Sequence, residues 1–387
     1  MPVASATVSA PSGAAAWLAE LAGAPLPGSR QEDWRFTDLA SLMRIKPCLA
    51  EPGFDPAGCS LPPGIERLDP EAAAALLASG LEASGSSRHW PVQLNRAAVA
   101  RRAGGLLALH VRGSVAEPLL HIIRPLADGL AAQQLVLLLD PGASLELVEL
   151  VDAASVGGDP AVMTAAALSS LTVVQLGAGA RLRAGMVALG HSGLSLLSHW
   201  IAVQDPGSDL SLTTALAGWD LARFEPRIVQ TAGAADTRLR TLQACSGEQI
   251  IDTHSYVRFD GPEGCLDQLH KAMADGRARS VFSGAVRVPR PAQRTRAAQL
   301  SRNLLLSAHA RIDTKPELEI VADDVSCTHG ATVSRLRDEE LFYLQSRGIA
   351  GDQAIALLKR AFCEDVLRDL PAEAAGLNPL AHLLDPV

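Results

Sequence analysis

A thiol and an imidazole stand two residues apart in the segment VADDVSCTHGATV, with Asp323 and Asp324 just before Cys327 and His329, and Gly330 just after. Thiolate, imidazole and carboxylate are donor types that bind transition-metal ions. Strand side chains alternate with a rise of about 3.4 Å per residue. An extended backbone through Asp323, Val325, Cys327 and His329 therefore puts all four on one face, with thiol and imidazole roughly 7 Å apart at the backbone. Two ligands make half a site. The pattern fits either a metal-capable cluster or a structural pair, a small buried thiol beside a hydrogen-bonded imidazole. His254, in Asp252-Thr-His-Ser-Tyr, is the other imidazole of interest, and as a lone His in a strand pattern it reads as a satisfied core residue.

The elements that must position these residues are strands. Thr314 to Val325 alternates in part, Leu318, Ile320 and Ala322 against Glu317 and Glu319. From Leu106 onward, short runs of Leu, Val, Ile and Ala recur between Gly, Pro and Asp. Three similar turns, Asp140-Pro-Gly-Ala, Leu176-Gly-Ala-Gly and Asp205-Pro-Gly-Ser, return at intervals of about 30 residues, which points to a stacked solenoid of strands. Stacked coils share a column of aliphatic side chains that no coil could bury alone. A β-sandwich has strands of the same length and similar turns, and also fits.

Helices are expected at both ends of the strand region. Ala14 to Ala22 is a short helix, Ser29 with Glu32 has capping-box spacing for a second start, and Asp69 to Ser79 is a third. Beyond the strands, Asp338 to Ser346 is apolar at Leu341, Phe342 and Leu344 and ends at Gly348. A following helix, capped by Asp352 and running to about Leu367, places Ile355, Leu358, Ala361, Phe362 and Val366 on one face. This pair reads as a cap closing the open end of the solenoid.

Composition narrows the function. A net charge of −8 over 387 residues, with four lysines, opposes nucleic acid as the main partner. The six cysteines, Cys48, Cys59, Cys245, Cys265, Cys327 and Cys363, form no C-x-x-C pair and predict a reducing compartment. No signal-like N-terminus and no apolar run of membrane-spanning length is visible, so a cytoplasmic protein with no membrane partner is expected. None of Lys46, Lys271, Lys315 and Lys359 follows a glycine, which excludes a phosphate loop and predicts no ATPase activity of its own.

The string DDVSCTHGATV, followed by LFYLQSRGIA, resembles the C-terminal signature of the SufB/SufD family of the SUF iron–sulfur cluster assembly system, with Thr328 in place of the usual Ser. Glu32, Trp34, Arg35 and Thr37 resemble that family's N-terminal Glu-x-Trp-Arg-Tyr-Thr element, with Phe36 in place of Tyr; the residues alone read Trp34 as a core anchor. His329-Gly330-Ala331 stands where SufB-type chains carry His-Glu-Ala, which favours the SufD side. Arg296 and Ala297 stand where an acidic residue is usual, so any role of that acid is missing here.

The resemblance implies a mainly β fold, a right-handed parallel β-helix over residues 105–334 between helical regions at 1–104 and 335–387. It implies a non-ATPase scaffold, not an enzyme, that pairs with a SufB-like paralogue and binds a SufC-like ABC ATPase through the C-terminal helices. Phe342, Tyr343, Arg347, Ile355, Leu358 and Phe362 are the docking candidates. His329 would be an iron or cluster ligand with Cys327 beside it, holding a transient iron or nascent Fe–S cluster shared with the partner, none permanently bound by this chain alone. An exposed strand edge could also pair with its own copy as a homodimer. Two other classes remain, a β-helix polysaccharide-active enzyme and a metal-free structural solenoid. The first needs converging carboxylates outside the stack.

Overall fold

The computed structural model describes residues 13–50, 61–101, 105–123, 128–152 and 165–384. Among them the strands are β1 Ile65–Arg67, β2 Leu106–Val111, β3 Leu119–Ile123, β4 Gly129–Leu139, β5 Ser144–Asp152, β6 Ala166–Leu176, β7 Arg181–Leu189 and β8 Leu194–Gln204. They continue as β9 Asp209–Ala217, β10 Leu221–Gln230, β11 Asp236–Cys245, β12 Ile250–Phe259, β13 Cys265–Ala274, β14 Arg279–Val288, β15 Arg296–Leu305, β16 Arg311–Ile320 and β17 Ser326–Arg335. The helices are α1 Ala14–Ala22, α2 Pro70–Ala83, α3 Trp90–Arg101, α4 Asp338–Ser346, α5 Gly351–Leu367, α6 Ala372–Gly376 and α7 Pro379–Leu384.

From β2 on, even strands stack in one sheet and odd strands in another, each parallel to its neighbour two positions away. Short β1 closes the N-terminal edge by pairing antiparallel with β2. The result is a parallel β-solenoid of two facing sheets with about seven coils. This resolves the sandwich alternative, because a sandwich of hairpins would pair consecutive strands antiparallel.

The repeated turns carry the coils from sheet to sheet. Gly142, Gly179 and Gly207 have φ of 72°, 67° and 73°, a conformation glycine adopts without a Cβ clash. Each donates its N–H to the turn above, Gly142 to Ala178 O at 2.9 Å, Gly179 to Pro206 O at 3.0 Å and Gly207 to Ala234 O at 2.9 Å. Between the sheets the first coils are aliphatic, with Leu109, Leu137, Leu147, Leu182 and Leu210 buried. Further along, the interior turns polar, and Gln268, His270, Gln299 and Ser301 are buried there.

Both outer faces are covered by helices. α1, α2 and α3 pack on the nine-stranded sheet through Leu18, Leu81, Val92 and Leu94 against Leu130, Ala167, Leu197, Val173 and Ile201. α5, α6 and α7 pack on the eight-stranded sheet, with Cys363, Val366, Ala374 and Leu383 against Val187, Ala215, Leu242 and Met273. α5, α6 and α7 therefore do not form the cap over the solenoid's open end that the sequence predicts. They fold back along a sheet face, because that face is a continuous stripe of small aliphatic residues while the open end offers polar ones.

Other local expectations also shift. Ser29 starts no capped helix; a single 3-10 turn, Glu32–Trp34, follows Gln31 with no side-chain cap. It is held by tertiary contacts: Trp34 lies edge-on to Trp90 at 6.3 Å with the Arg223 guanidinium 3.9 Å above its ring. Asp69 does cap α2, accepting from the N–H groups of Glu71 and Ala72, and the helix runs on to Ala83. Asp352 is not a cap but sits in the first turn of α5, behind Ala350. The inward face of α5 is Ala354, Cys363 and Val366, with Ile355 and Ala361 exposed, because the helix rotates to meet the sheet. α3, α6 and α7 carry too weak a periodicity to stand out in the sequence.

Candidate functional site

β17 is the last strand of its sheet and pairs in register with β15 alone, Cys327 opposite Ala297 and His329 opposite Gln299. Following that register down the stack gives two interior columns. One runs Leu182, Leu210, Thr237, Leu266, Ala297, Cys327. The other runs Ala184, Leu212, Leu239, Gln268, Gln299, His329. Every residue below the last is buried. Cys327 and His329 thus face the inside of the solenoid at its mouth, and they meet solvent only because no coil follows.

The second column changes chemistry as it nears the mouth. Gln299 Nε2 donates to Gln268 Oε1 at 2.9 Å, and Gln268 Nε2 donates to Ser255 Oγ at 2.8 Å. Gln299 Oε1 is buried without a hydrogen-bond partner, directly below His329 in the ladder. A buried amide oxygen left unpaired costs about 1–3 kcal/mol, which marks the mouth as a place not built for stability alone. Cys327 is half-buried against the core cluster. Burial pushes its thiol up, while a backbone hydrogen bond from Ala297 acts the other way. His329 is exposed.

Val325 packs against the core cluster as Cys327 does, but it and Asp323 lie outside the strand that carries the pair, and Asp323 is exposed. β17 begins only at Ser326, and residues 323–324 form a bend held by Gln293 Oε1 accepting from Asp324 N at 2.9 Å. The turn geometry of the coil overrides the local alternation, leaving both acids exposed at the corner. Of the remaining cysteines, Cys245 and Cys363 are buried with thiols pushed up to about 12, hence inert at neutral pH. Cys48 is exposed and Cys265 half-exposed, and Cys59 lies outside the described residues.

On the C-terminal helices the docking candidates divide. Phe342 and Tyr343 are 72% and 58% exposed, with the Arg347 guanidinium 5.2 Å from the Tyr343 ring centre, and Ile355 is exposed too. Leu358 is half-buried. Phe362 turns toward the sheet instead: its carbonyl accepts from Lys271 Nζ at 2.9 Å, and that ammonium lies 4.3 Å from the centre of its ring. Lys271 also meets Asp365 at 2.7 Å, which lowers that carboxyl.

The chain matches, over residues 122–362, the family described as SUF system FeS cluster assembly, SufBD core domain. It belongs to the SufBD family. The match covers well over half of the chain, including the mouth and most of α5. Among individual relatives, an iron–sulfur cluster assembly SufBD family protein of Synechocystis is 47% identical over 154 residues, 40% of this chain and 34% of that protein. The chloroplastic protein ABCI7 of Arabidopsis thaliana is 40% identical over 169 residues, 43% of this chain and 36% of that protein. The iron–sulfur cluster assembly protein SufD of Escherichia coli is 36% identical over 146 residues, 38% of this chain and 34% of that protein. The matches span about a third of the length of these curated relatives. Family membership sets aside the polysaccharide-active alternative. No helix among the described residues is long and apolar enough to cross a membrane.

A buried ionic cluster beneath the N-terminal helices had no signature in the sequence. Arg223, 2% exposed, reaches Glu225 Oε1 and Asp252 Oδ2, both at 2.6 Å, and donates to Asp33 O at 2.8 Å. Thr37 donates to the same Asp252 oxygen, and His254 Nε2 lies 3.0 Å from the other. Burial alone would raise the Asp252 carboxyl; His254 and Arg223 overcome it and hold it low. His254 is therefore no isolated core residue but part of the seam between the Glu32–Thr37 element and the sheet. Arg223, Glu225 and Asp252 lie on β10 and β12, and only the coil spacing between them could have hinted at the cluster.

Proposed function

We propose that this chain is the SufD-like, non-ATPase scaffold subunit of a cytoplasmic SUF complex, and that its solenoid mouth pairs with a SufB-like paralogue. The observation that carries the reading is the register that ends two interior columns in Cys327 and His329 at an open strand. β17 carries no Asp, Glu, Lys or Arg before Arg335 at its end. Its companion at the edge, β16, has Lys315, Pro316, Glu317 and Glu319, the residues that discourage pairing. β17 is therefore the edge suited to another chain, and a second copy of this one is the substitute when the paralogue is absent.

In that pairing His329 contributes an imidazole to iron or to a nascent cluster, and Cys327, shielded in the mouth, becomes a ligand when a metal displaces its proton. Two donors are too few for a resident cluster, so the cargo is held only while the partner supplies the rest. Phe342, Tyr343, Arg347 and Ile355 form the exposed aromatic and apolar patch offered to a SufC-like ATPase, with Leu358 at its margin and Phe362 serving to hold the helices on the sheet.

The test is co-expression with SufB-like and SufC-like partners, followed by anaerobic reconstitution with iron and sulfide. Wild type should co-purify and yield cluster absorbance, and His329→Ala should keep the assembly while losing cluster yield at least about tenfold. An intact complex with unchanged yield would return Cys327 and His329 to a structural role. Absence of a complex would overturn the partner reading.

A further inference from the structure

The turn between α2 and α3 brings His89 against the outer face of the nine-stranded sheet, where His199 of β8 and Glu225 of β10 are register neighbours. One ligand atom from each lies within 4.8 Å of the others. Glu225 Oε2 is 3.2 Å from His89 Nδ1 and 3.4 Å from His199 Nδ1. The first is a hydrogen bond at the long end of the range, where charge-assisted ones usually run about 2.7–2.9 Å. Metal–ligand bonds of about 2.0–2.1 Å in a tetrahedron, in contrast, set ligand atoms roughly 3.3–3.4 Å apart.

The surroundings prepare the donors. His199 Nδ1 is fully buried with no hydrogen-bond partner, while its Nε2 is 3.1 Å from Ser86 Oγ, the outer contact that fixes a ligating imidazole. Arg223 engages only Oε1 of Glu225 and leaves Oε2 to the imidazoles. Arg223, 2.6 Å from Glu225 Oε1, is the fixed counter-charge of the carboxylate. His89, a quarter exposed, leaves a way in from solvent.

We propose that His89, His199 and Glu225 form a binding site for one divalent first-row metal ion, zinc by its donor set, which clamps the α2–α3 turn onto the solenoid. The site is three strands away from β16 within the sheet and is independent of the mouth. Three protein ligands leave one position open to solvent; the clamp follows from one ion joining the α2–α3 turn, through His89, to β8 and β10.

The experiment is titration of the full-length chain, stripped with chelator at neutral pH, with Co²⁺ as the visible stand-in for Zn²⁺. One equivalent should develop the d–d bands of four-coordinate cobalt, bleached by Zn²⁺, and Zn²⁺ should raise the melting temperature. His89→Ala should weaken binding at least about tenfold and abolish the zinc-dependent shift, measured against its own metal-free melt. His329→Ala should bind cobalt like wild type, which separates this site from the mouth. Absence of stoichiometric binding by the wild type overturns the proposal, as does a His89→Ala chain that binds equally well, or binding lost only in His329→Ala.

Discussion

At the scale of residues, the N-terminal seam depends on one guanidinium. Arg223 alone faces two buried carboxylates, a backbone carbonyl and the Trp34 ring. Arg223→Met keeps much of the volume but leaves Glu225 and Asp252 without their cation, and it should destabilise the chain by about 3–5 kcal/mol. Arg223→Lys should recover only part of this, since an ammonium cannot span both carboxylates and stack on Trp34. Urea midpoints of the three chains check it. A Met variant as stable as wild type would mean that the carboxylates are protonated or solvated in the fold. The sequence placed Trp34 in the core correctly, but the charges beneath it lie on strands far along the chain and stayed invisible.

At the scale of elements, β17 is the feature that separates this solenoid from a self-contained one. Ser326 N donates to Thr295 O, so Ser326 and alternate residues after it bond to β15, and Cys327, His329, Ala331 and Val333 direct their backbone groups to the free edge. Ala331→Pro removes one outward N–H without breaking the ladder to β15. It should leave the circular dichroism spectrum intact while abolishing both self-association and capture by the SufB-like partner in light-scattering chromatography. Retained pairing would place the interface elsewhere, with the exposed Phe342 and Tyr343 patch of α4 as the next surface to alter. The two-residue spacing of Cys327 and His329 was legible as a shared face. That the face looks inward, and is open only because the stack ends, required the register.

At the scale of the whole molecule, stability should fall in mild acid. His199 and His270 are fully buried, His270 stacked on Phe282 with ring centres 4.2 Å apart, and burial pushes both pKa values down to about 3 from 6.5. Between those values the unfolded chain binds protons that the folded chain refuses. Stability is therefore full above pH 6.5 and declines as the pH drops, by up to about 1.4 kcal/mol per pH unit for each histidine. Chemical denaturation at pH 7 and pH 5 measures the slope, and His270→Asn should reduce it by about half. A pH-independent stability in this window would show that the rings are hydrated or paired in the fold.

The residues by themselves determined what depends on neighbours in the chain: short strands, the Asp-Pro-Gly and Gly-Ala-Gly turns at coil spacing, the first helix, and a thiol–imidazole pair on one strand face. They also carried the signature of the SufBD family. Only the tertiary structure decided that the C-terminal helices lie along a sheet, that α5 turns Phe362 inward and Ile355 out, and that His89 meets His199 and Glu225. Those outcomes rest on which strand lies beside which and on how far each helix rotates. Such contacts join residues remote in the chain, and local propensity and periodicity do not encode them.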